Sequence, residues 1–196
     1  MRVISGVFKG RTLFCPKNIK EDIRPTKDFT KEAVFNIMQF DIEGSIFLDI
    51  FSGTGSMGIE ALSRRAKFVI FVDNQVCAIE AIKKNIENLK IDKNSYAIIK
   101  ADANKFLSQS QKYLEGPYAM SPFNFIYADP PYNSSWYTDS LNYLDSCQNI
   151  DHNTCIMIEK SFSHESIISK DLQKTWSQKS LRKYGKSFVE ILEKKE

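Results

Sequence analysis

A chain of 196 residues has the length of one domain, and folding at this size buries enough surface for a core without metal or disulfide staples. With 42% hydrophobic and 26% charged residues and a net charge of +3, the composition excludes disordered, fibrous and collagen-like classes. The longest apolar run, Phe68 to Val72, has strand length and falls far short of the ~20 residues a membrane helix needs. No apolar leader opens the chain, so a cytoplasmic setting is expected. Cys15, Cys77, Cys147 and Cys155 form no C-x-x-C pair, and His152 and His164 stand at no ligand spacing from them. Reduced thiols, surface histidines and no metal are expected.

Taken in chain order, Val3–Phe8 and Thr12–Phe14 read as a short hairpin with Gly6 and Gly10. Residues 1–20 carry five basic side chains (Arg2, Lys9, Arg11, Lys17, Lys20) and no acid. Lys179, Arg182, Lys183 and Lys186 form a second basic stretch, and two such ends suggest a phosphate-binding surface. Asp28 or Thr30 is placed to cap a helix reaching Phe40, with Ala33, Val34, Ile37 and Met38 on one face. Residues 1–44 are expected to form an N-terminal extension, and 45–196 a catalytic core, of a single domain.

From Ile46 the pattern becomes strand–helix alternation. Strands are expected at Ile46–Ile50, Lys67–Val72, Tyr96–Lys100, Asn124–Ala128 and Thr154–Glu159. Helices are expected at Ser56–Arg64, after Asn74 as a cap, after Asp102, at Thr138–Cys147 and near Glu165–Leu172. Trp176–Leu181 and Ser187–Leu192 read as a closing hairpin around Tyr184-Gly185. The fold class is therefore α/β: a mostly parallel, Rossmann-like sheet covered on both faces, ending in antiparallel strands. The loop within 110–123 matches no motif and receives no role.

The first of these strands runs into Asp49-Ile50-Phe51-Ser52-Gly53-Thr54-Gly55-Ser56-Met57-Gly58. Gly53-x-Gly55-x-x-Gly58 has the literal dinucleotide spacing, and Asp73 follows at the end of the next strand, where a ribose-binding acid belongs. Asp49 argues against a diphosphate, because a carboxylate at this place suits an ammonium or sulfonium group. S-adenosylmethionine (SAM) has both. Asp102, followed by Ala103, is placed either to meet an adenine amine or to cap its own helix. Phe51 is placed where an aromatic face attracts a cation.

The fourth strand of this series ends in Asp129-Pro130-Pro131-Tyr132. Two prolines stiffen the chain and remove N–H donors, leaving the Asp129 carboxylate and the Pro130 carbonyl as acceptors. An exocyclic base amine has two N–H groups to give. Binding both to fixed acceptors frees the nitrogen lone pair for attack, and Tyr132 offers a face for the base to stack on. A rigid turn with a packing tyrosine is the structural alternative.

Asp129-Pro130-Pro131-Tyr132 resembles the amino-methyltransferase motif. Further stretches resemble one family in particular: Val7–Leu13, Ile23-Arg24-Pro25-Thr26-Lys27-Asp28, Ala33–Met38 and Leu48–Arg64, with Tyr184-Gly185 near the end. Together they are similar to the RsmD family, which methylates the exocyclic N2 of a guanine in small-subunit (16S) ribosomal RNA. The resemblance implies a seven-stranded class I methyltransferase fold, SAM as methyl donor, and residues 129–132 as the catalytic loop. It implies a cofactor site of Asp49, Phe51, Gly53, Gly55, Asp73, Asp102 and Ala103. Arg24 and Thr26 are expected between cofactor and RNA, with Arg2, Lys9, Arg11 and Lys27 as phosphate contacts. The partner implied is 16S rRNA or the small ribosomal subunit. Three rival readings are a DNA adenine-N6 methyltransferase, a nicotinamide-dependent oxidoreductase, and an inactive RNA-binding assembly factor.

Overall fold

The computed structural model describes residues 1–16, 25–131, 136–160, 166–168, 172–185 and 187–195. Seven strands form one sheet: β1 (Ile46–Ile50), β2 (Phe68–Asp73), β3 (Tyr96–Lys100), β4 (Phe125–Ala128), β5 (Cys155–Lys160), β6 (Trp176–Tyr184) and β7 (Ser187–Lys194). Their spatial order is β3-β2-β1-β4-β5-β7-β6. The first five are parallel, and β7 runs antiparallel between β5 and β6. The helices are α1 (Pro25–Ile37), α2 (Ser56–Ser63), α3 (Val76–Leu89), α4 (Ala103–Ser108), α5 (Ser110–Tyr113) and α6 (Trp136–Ser146).

The apolar strands explain the layering. Alternate residues of a strand face opposite sides of the sheet. Phe47, Val69, Phe71, Phe125 and Met157 pack with Phe35, Ile59 and Ile82 from α1, α2 and α3. Leu48, Ile50, Ile70, Ile126 and Ile158 pack on the other face with Phe106 of α4 and Leu141 and Leu144 of α6. Strand order reverses between β1 and β4, and the crevice outside their carboxyl ends is where open α/β sheets bind ligands.

Some expectations are corrected: α1 covers Pro25–Ile37, so Asp28 and Thr30 lie inside the helix and do not cap it. The N-terminal hairpin is present but minimal: the arms pair through the Arg2–Thr12 antiparallel bridge and through the Val3, Gly10 and Leu13 amides, which donate to the Arg11, Val3 and Met1 carbonyls at 2.9, 2.9 and 3.0 Å, without forming regular strands over 3–8 and 12–14. Side chains also staple this segment to the helices. Glu60 on α2 accepts the Ile4 and Ser5 amides at 2.8 and 2.9 Å, and Ser63 Oγ accepts the Phe8 amide at 3.0 Å. Asn85 on α3 accepts the Phe14 amide at 2.6 Å. Asn74 does not cap α3: Gln75 holds the N-cap position, and the Gln75 amide donates to Asp73 Oδ1 at 2.9 Å. No α-helix occupies the described residues of 165–172; residues 166–168 are non-helical and a 3₁₀ turn covers Leu172–Lys174. Residues 115–122 form a loop as expected, but the stretch 110–123 holds local order that the sequence did not signal. It contains α5 and a 3₁₀ turn at Gly116–Ala119, and Tyr118 stacks on Phe68 with ring centroids 3.7 Å apart. That contact covers the start of β2, at the end of the sheet away from the crevice.

Candidate active site

The glycine turn is built by carboxylates that bind backbone amides. Asp49, 2% exposed near the end of β1, accepts the Gly58 amide on Oδ2 at 2.9 Å. Asp73 Oδ2 accepts the Gly53 amide at 2.9 Å. Its two oxygens thus tie the turn after β1 to the start of α3. Gly53 and Gly55 hold φ values of 55° and 78°, which glycine adopts without a Cβ clash. A Cβ on Gly58 would lie 2.2 Å from Phe71 Cε1, so this glycine serves the packing of α2 on β2. Phe51 also has positive φ, at 62°, a conformation that costs energy in a residue with a Cβ. Its ring meets Trp136 edge-on at 5.3 Å.

Asp102 is the N-cap of α4, with Oδ1 accepting the Asn104 and Lys105 amides at 3.0 and 3.1 Å. Ala103 is buried behind it. The capping alternative is therefore present, and it leaves Oδ2 without a protein hydrogen bond among the described residues.

A cleft of about 590 Å³ opens at the reversal point. Asp49 and Phe51 line it from β1 and its turn, and Asp129 lines it from the end of β4. Asp129 is half-buried, Pro130 is buried and Pro131 is exposed. The Tyr137 hydroxyl lies 3.1 Å from the Glu159 carbonyl and 3.4 Å from the Pro130 carbonyl. A hydroxyl has one proton, so the nearer Glu159 carbonyl takes it and Pro130 keeps acceptor capacity.

Three cleft residues escaped the sequence reading. Lys31 of α1 donates to the Arg2 carbonyl at 2.7 Å and to Ser56 Oγ at 3.0 Å, and lies 3.6 Å from Glu60. Tyr127 on β4 donates its hydroxyl to Glu159 Oε2 on β5. Burial, with Glu159, Asp129 and Asp49 around it, pushes the Tyr127 hydroxyl well above the ordinary tyrosine range. No spacing signals such a pair, because it depends on cross-strand register. Among the described residues, Asp28, Asp49, Asp129 and Glu159 line the cleft with Lys31, which is itself held beside Glu60, and with Met1 at the chain's start, so carboxylates predominate. Such a cleft repels a diphosphate and attracts an ammonium or sulfonium group.

Of the expected RNA contacts, Arg2, Lys9 and Arg11 are exposed. Arg2 stands at the cleft rim, paired to Asp28 at 3.1 Å. Arg11 points elsewhere, toward the Asn88 carbonyl at the end of α3, 3.5 Å away. Arg24 and Tyr132 lie outside the described residues, as do Lys17, Lys20, His164, Lys186 and the side chains of Thr26 and Lys27. Of the second basic stretch, Lys179 pairs with Glu193 at 3.2 Å and Arg182 is exposed.

The sheet order, the acidic glycine turn and the cleft between β1 and β4 define a class I methyltransferase fold. The chain belongs to the RsmD family: the family model described as conserved hypothetical protein 95 matches residues 1–193. It is similar to YlbH of Bacillus subtilis, a candidate rRNA methyltransferase, at 36% identity over 81% of this chain and 82% of that protein. The ribosomal RNA small subunit methyltransferase D of Haemophilus influenzae is 34% identical over 76% of this chain and 72% of its own. In fold it resembles yhhF of Escherichia coli, a candidate methyltransferase. The TM-score is 0.81 at 24% identity, covering 100% of this chain and 98% of that one.

Proposed function

We propose that the protein transfers a methyl group from SAM to the exocyclic N2 of a guanine in 16S ribosomal RNA. The observation that carries this reading is the placement of Asp129, the residue before Pro130, in one acid-lined cleft with Asp49 and Phe51. The relatives named as small-subunit rRNA methyltransferases support the substrate class.

The cleft's residues fit SAM. Asp49, buried at the end of β1 and lining the cleft, stands where a ligand ammonium is best placed. Phe51 offers its ring to a sulfonium. Asp73 and Asp102 do not line that cleft; at the ends of β2 and β3, and already holding backbone, they would offer their remaining lone pairs to ribose hydroxyls and the adenine edge of a ligand that extends past it, with Ala103 buried next to Asp102. Because Asp73 takes the Gly53 amide, a ligand meets Gly53 and Gly55 by their bare Cα faces. When bound, SAM supplies an electrophilic methyl on a positively charged sulfur.

The protein's part is to present the amine. The target guanine leaves its stack, as base-modifying enzymes require. Tyr132 stacks on it. Asp129 accepts one N–H and the Pro130 carbonyl the other, while Pro131 keeps the turn rigid. The nitrogen lone pair then attacks in line, and the amine's surplus proton passes to Asp129 or water. Fixing both reactants makes the step effectively unimolecular. Arg2, Lys9, Arg11, Arg24, Thr26 and Lys27 hold the RNA backbone. The unit acts in the cytoplasm on rRNA or an assembling small subunit, residues 1–44 serving as an extension of the 45–196 core.

The test is incubation with methyl-labelled SAM and separate acceptors: rRNA, assembling small subunits, tRNA and duplex DNA. Label is expected in small-subunit rRNA. Label in duplex DNA, or in no acceptor while NAD binds tightly, would overturn the reading.

A further inference from the structure

The end of β5 carries a carboxylate that the reaction just described leaves unused. Glu159 is 7% exposed and lines the cleft. Its Oε2 accepts the Tyr127 hydroxyl, and its Oε1 has no hydrogen-bond partner among the described residues. Oε1 is not among the fully buried polar atoms that lack a partner, so this oxygen is reachable from the cleft and open to a ligand donor. Register fixes where this acceptor stands. Ala128 pairs with Ile158 across parallel β4 and β5, so Asp129 and Glu159 are the next residues along neighbouring strands. Such strands lie about 4.8 Å apart. The Tyr127 hydroxyl, pushed well up by burial, remains a donor at working pH and holds the Glu159 carboxylate in one orientation.

This inference rests on the guanine-N2 reading. Beside its exocyclic amine, guanine carries the N1–H, a third donor on the same edge. Asp129 and the Pro130 carbonyl take the two amine hydrogens, and N1–H remains. We infer that Glu159 is a specificity-determining residue whose Oε1 accepts the N1–H of the target guanine. Guanine alone among the four bases sets a ring N–H beside an exocyclic amine. Adenine N1 and cytosine N3 are acceptors, and each would meet the carboxylate lone pair to lone pair. Tyr127 is a positioning residue that acts through Glu159.

The experiment uses RNA with either guanine or 2-aminopurine at the mapped target position. 2-Aminopurine keeps the amine but has an acceptor at N1. Single-turnover methyl transfer is measured for the parent and for Glu159→Gln, with S-adenosylhomocysteine affinity as a folding control. The parent is expected to prefer guanine by about tenfold or more, the size of a charge-assisted hydrogen bond. Glu159→Gln should slow guanine and speed 2-aminopurine, because the glutamine amide donates to N1. The preference should shrink at least about tenfold. If Glu159→Gln keeps the parental ratio, even with both rates reduced, Glu159 is structural and the inference fails. A parent that methylates both bases equally overturns it without any variant. A parent that forms no N2-methylguanosine overturns the guanine reading itself, and the role of Glu159 with it.

Discussion

The two halves of the sheet use buried acids differently. In the β3-β2-β1 half, Asp49, Asp73 and Asp102 spend carboxylate oxygens on backbone amides of the turns that follow their strands. In the β4-β5-β7 half, Glu159 and Glu190 are held chiefly by side chains: Tyr127 for the first, Lys160 and Ser166 for the second, which also takes the Ile167 amide at 3.3 Å. An acid that holds backbone shapes a turn for a ligand whose charge is already fixed. An acid held by another side chain keeps an oxygen aimed outward, or neutralises a buried cation. On the proposed reading, the first half serves a constant cofactor, and the second a base that must be told apart from others.

The largest effect should come from the buried pair in the second half. Lys160 Nζ lies 2.6 Å from Glu190 Oε2, with side chains 2% and 0% exposed. Lys160→Met strands a buried carboxylate and should cost about 3–5 kcal/mol in denaturant unfolding, while Lys160→Met with Glu190→Leu should recover most of it. Equal losses in the single and double variants would show that the pair itself matters little.

Next comes Asp129→Ala, which should slow single-turnover methyl transfer at least about a hundredfold, ~2.7 kcal/mol of barrier, with S-adenosylhomocysteine affinity within a few-fold. Asp73→Asn reverses that pattern. It replaces an acceptor facing either Gly53 or Gln75 and should cost about 1–3 kcal/mol of stability. Cofactor affinity should fall with it. Calorimetry on both variants separates the halves; matching profiles would erase the contrast.

The smallest effect concerns Cys155 on β5. Burial pushes its thiol up to about 11 from an ordinary 9.0. The unfolded chain therefore loses this proton first, and the thiol's contribution to stability is lost as pH rises from 9.0 to about 11. Unfolding free energies for parent and Cys155→Ala should converge across that window. A constant difference would mean that the thiol titrates normally.

Much of the first half was legible because its signals are local. Continuous apolar runs gave β1 and β2, glycines marked the turn, and Asp102 stood at a cap position that it fills. Asp129 was legible through the prolines behind it. Glu60, Ser63 and Asn85 were not, since each reads as an ordinary polar residue on a helix. They are buried because the N-terminal hairpin segment crosses them. The Tyr127–Glu159 pair needs residues 32 apart to meet across a parallel register that no spacing specifies. Asn74 misled because Asp73 reaches the helix start from inside the strand.

The central claim is that the cleft presents a guanine amine to a methyl donor. Nucleoside digestion of small-subunit rRNA after reaction with labelled SAM tests it most directly. The account predicts N2-methylguanosine at one position with parent protein, and its loss with Asp129→Ala. Label in N6-methyladenosine, or N2-methylguanosine formed at the parental rate by Asp129→Ala, would contradict it.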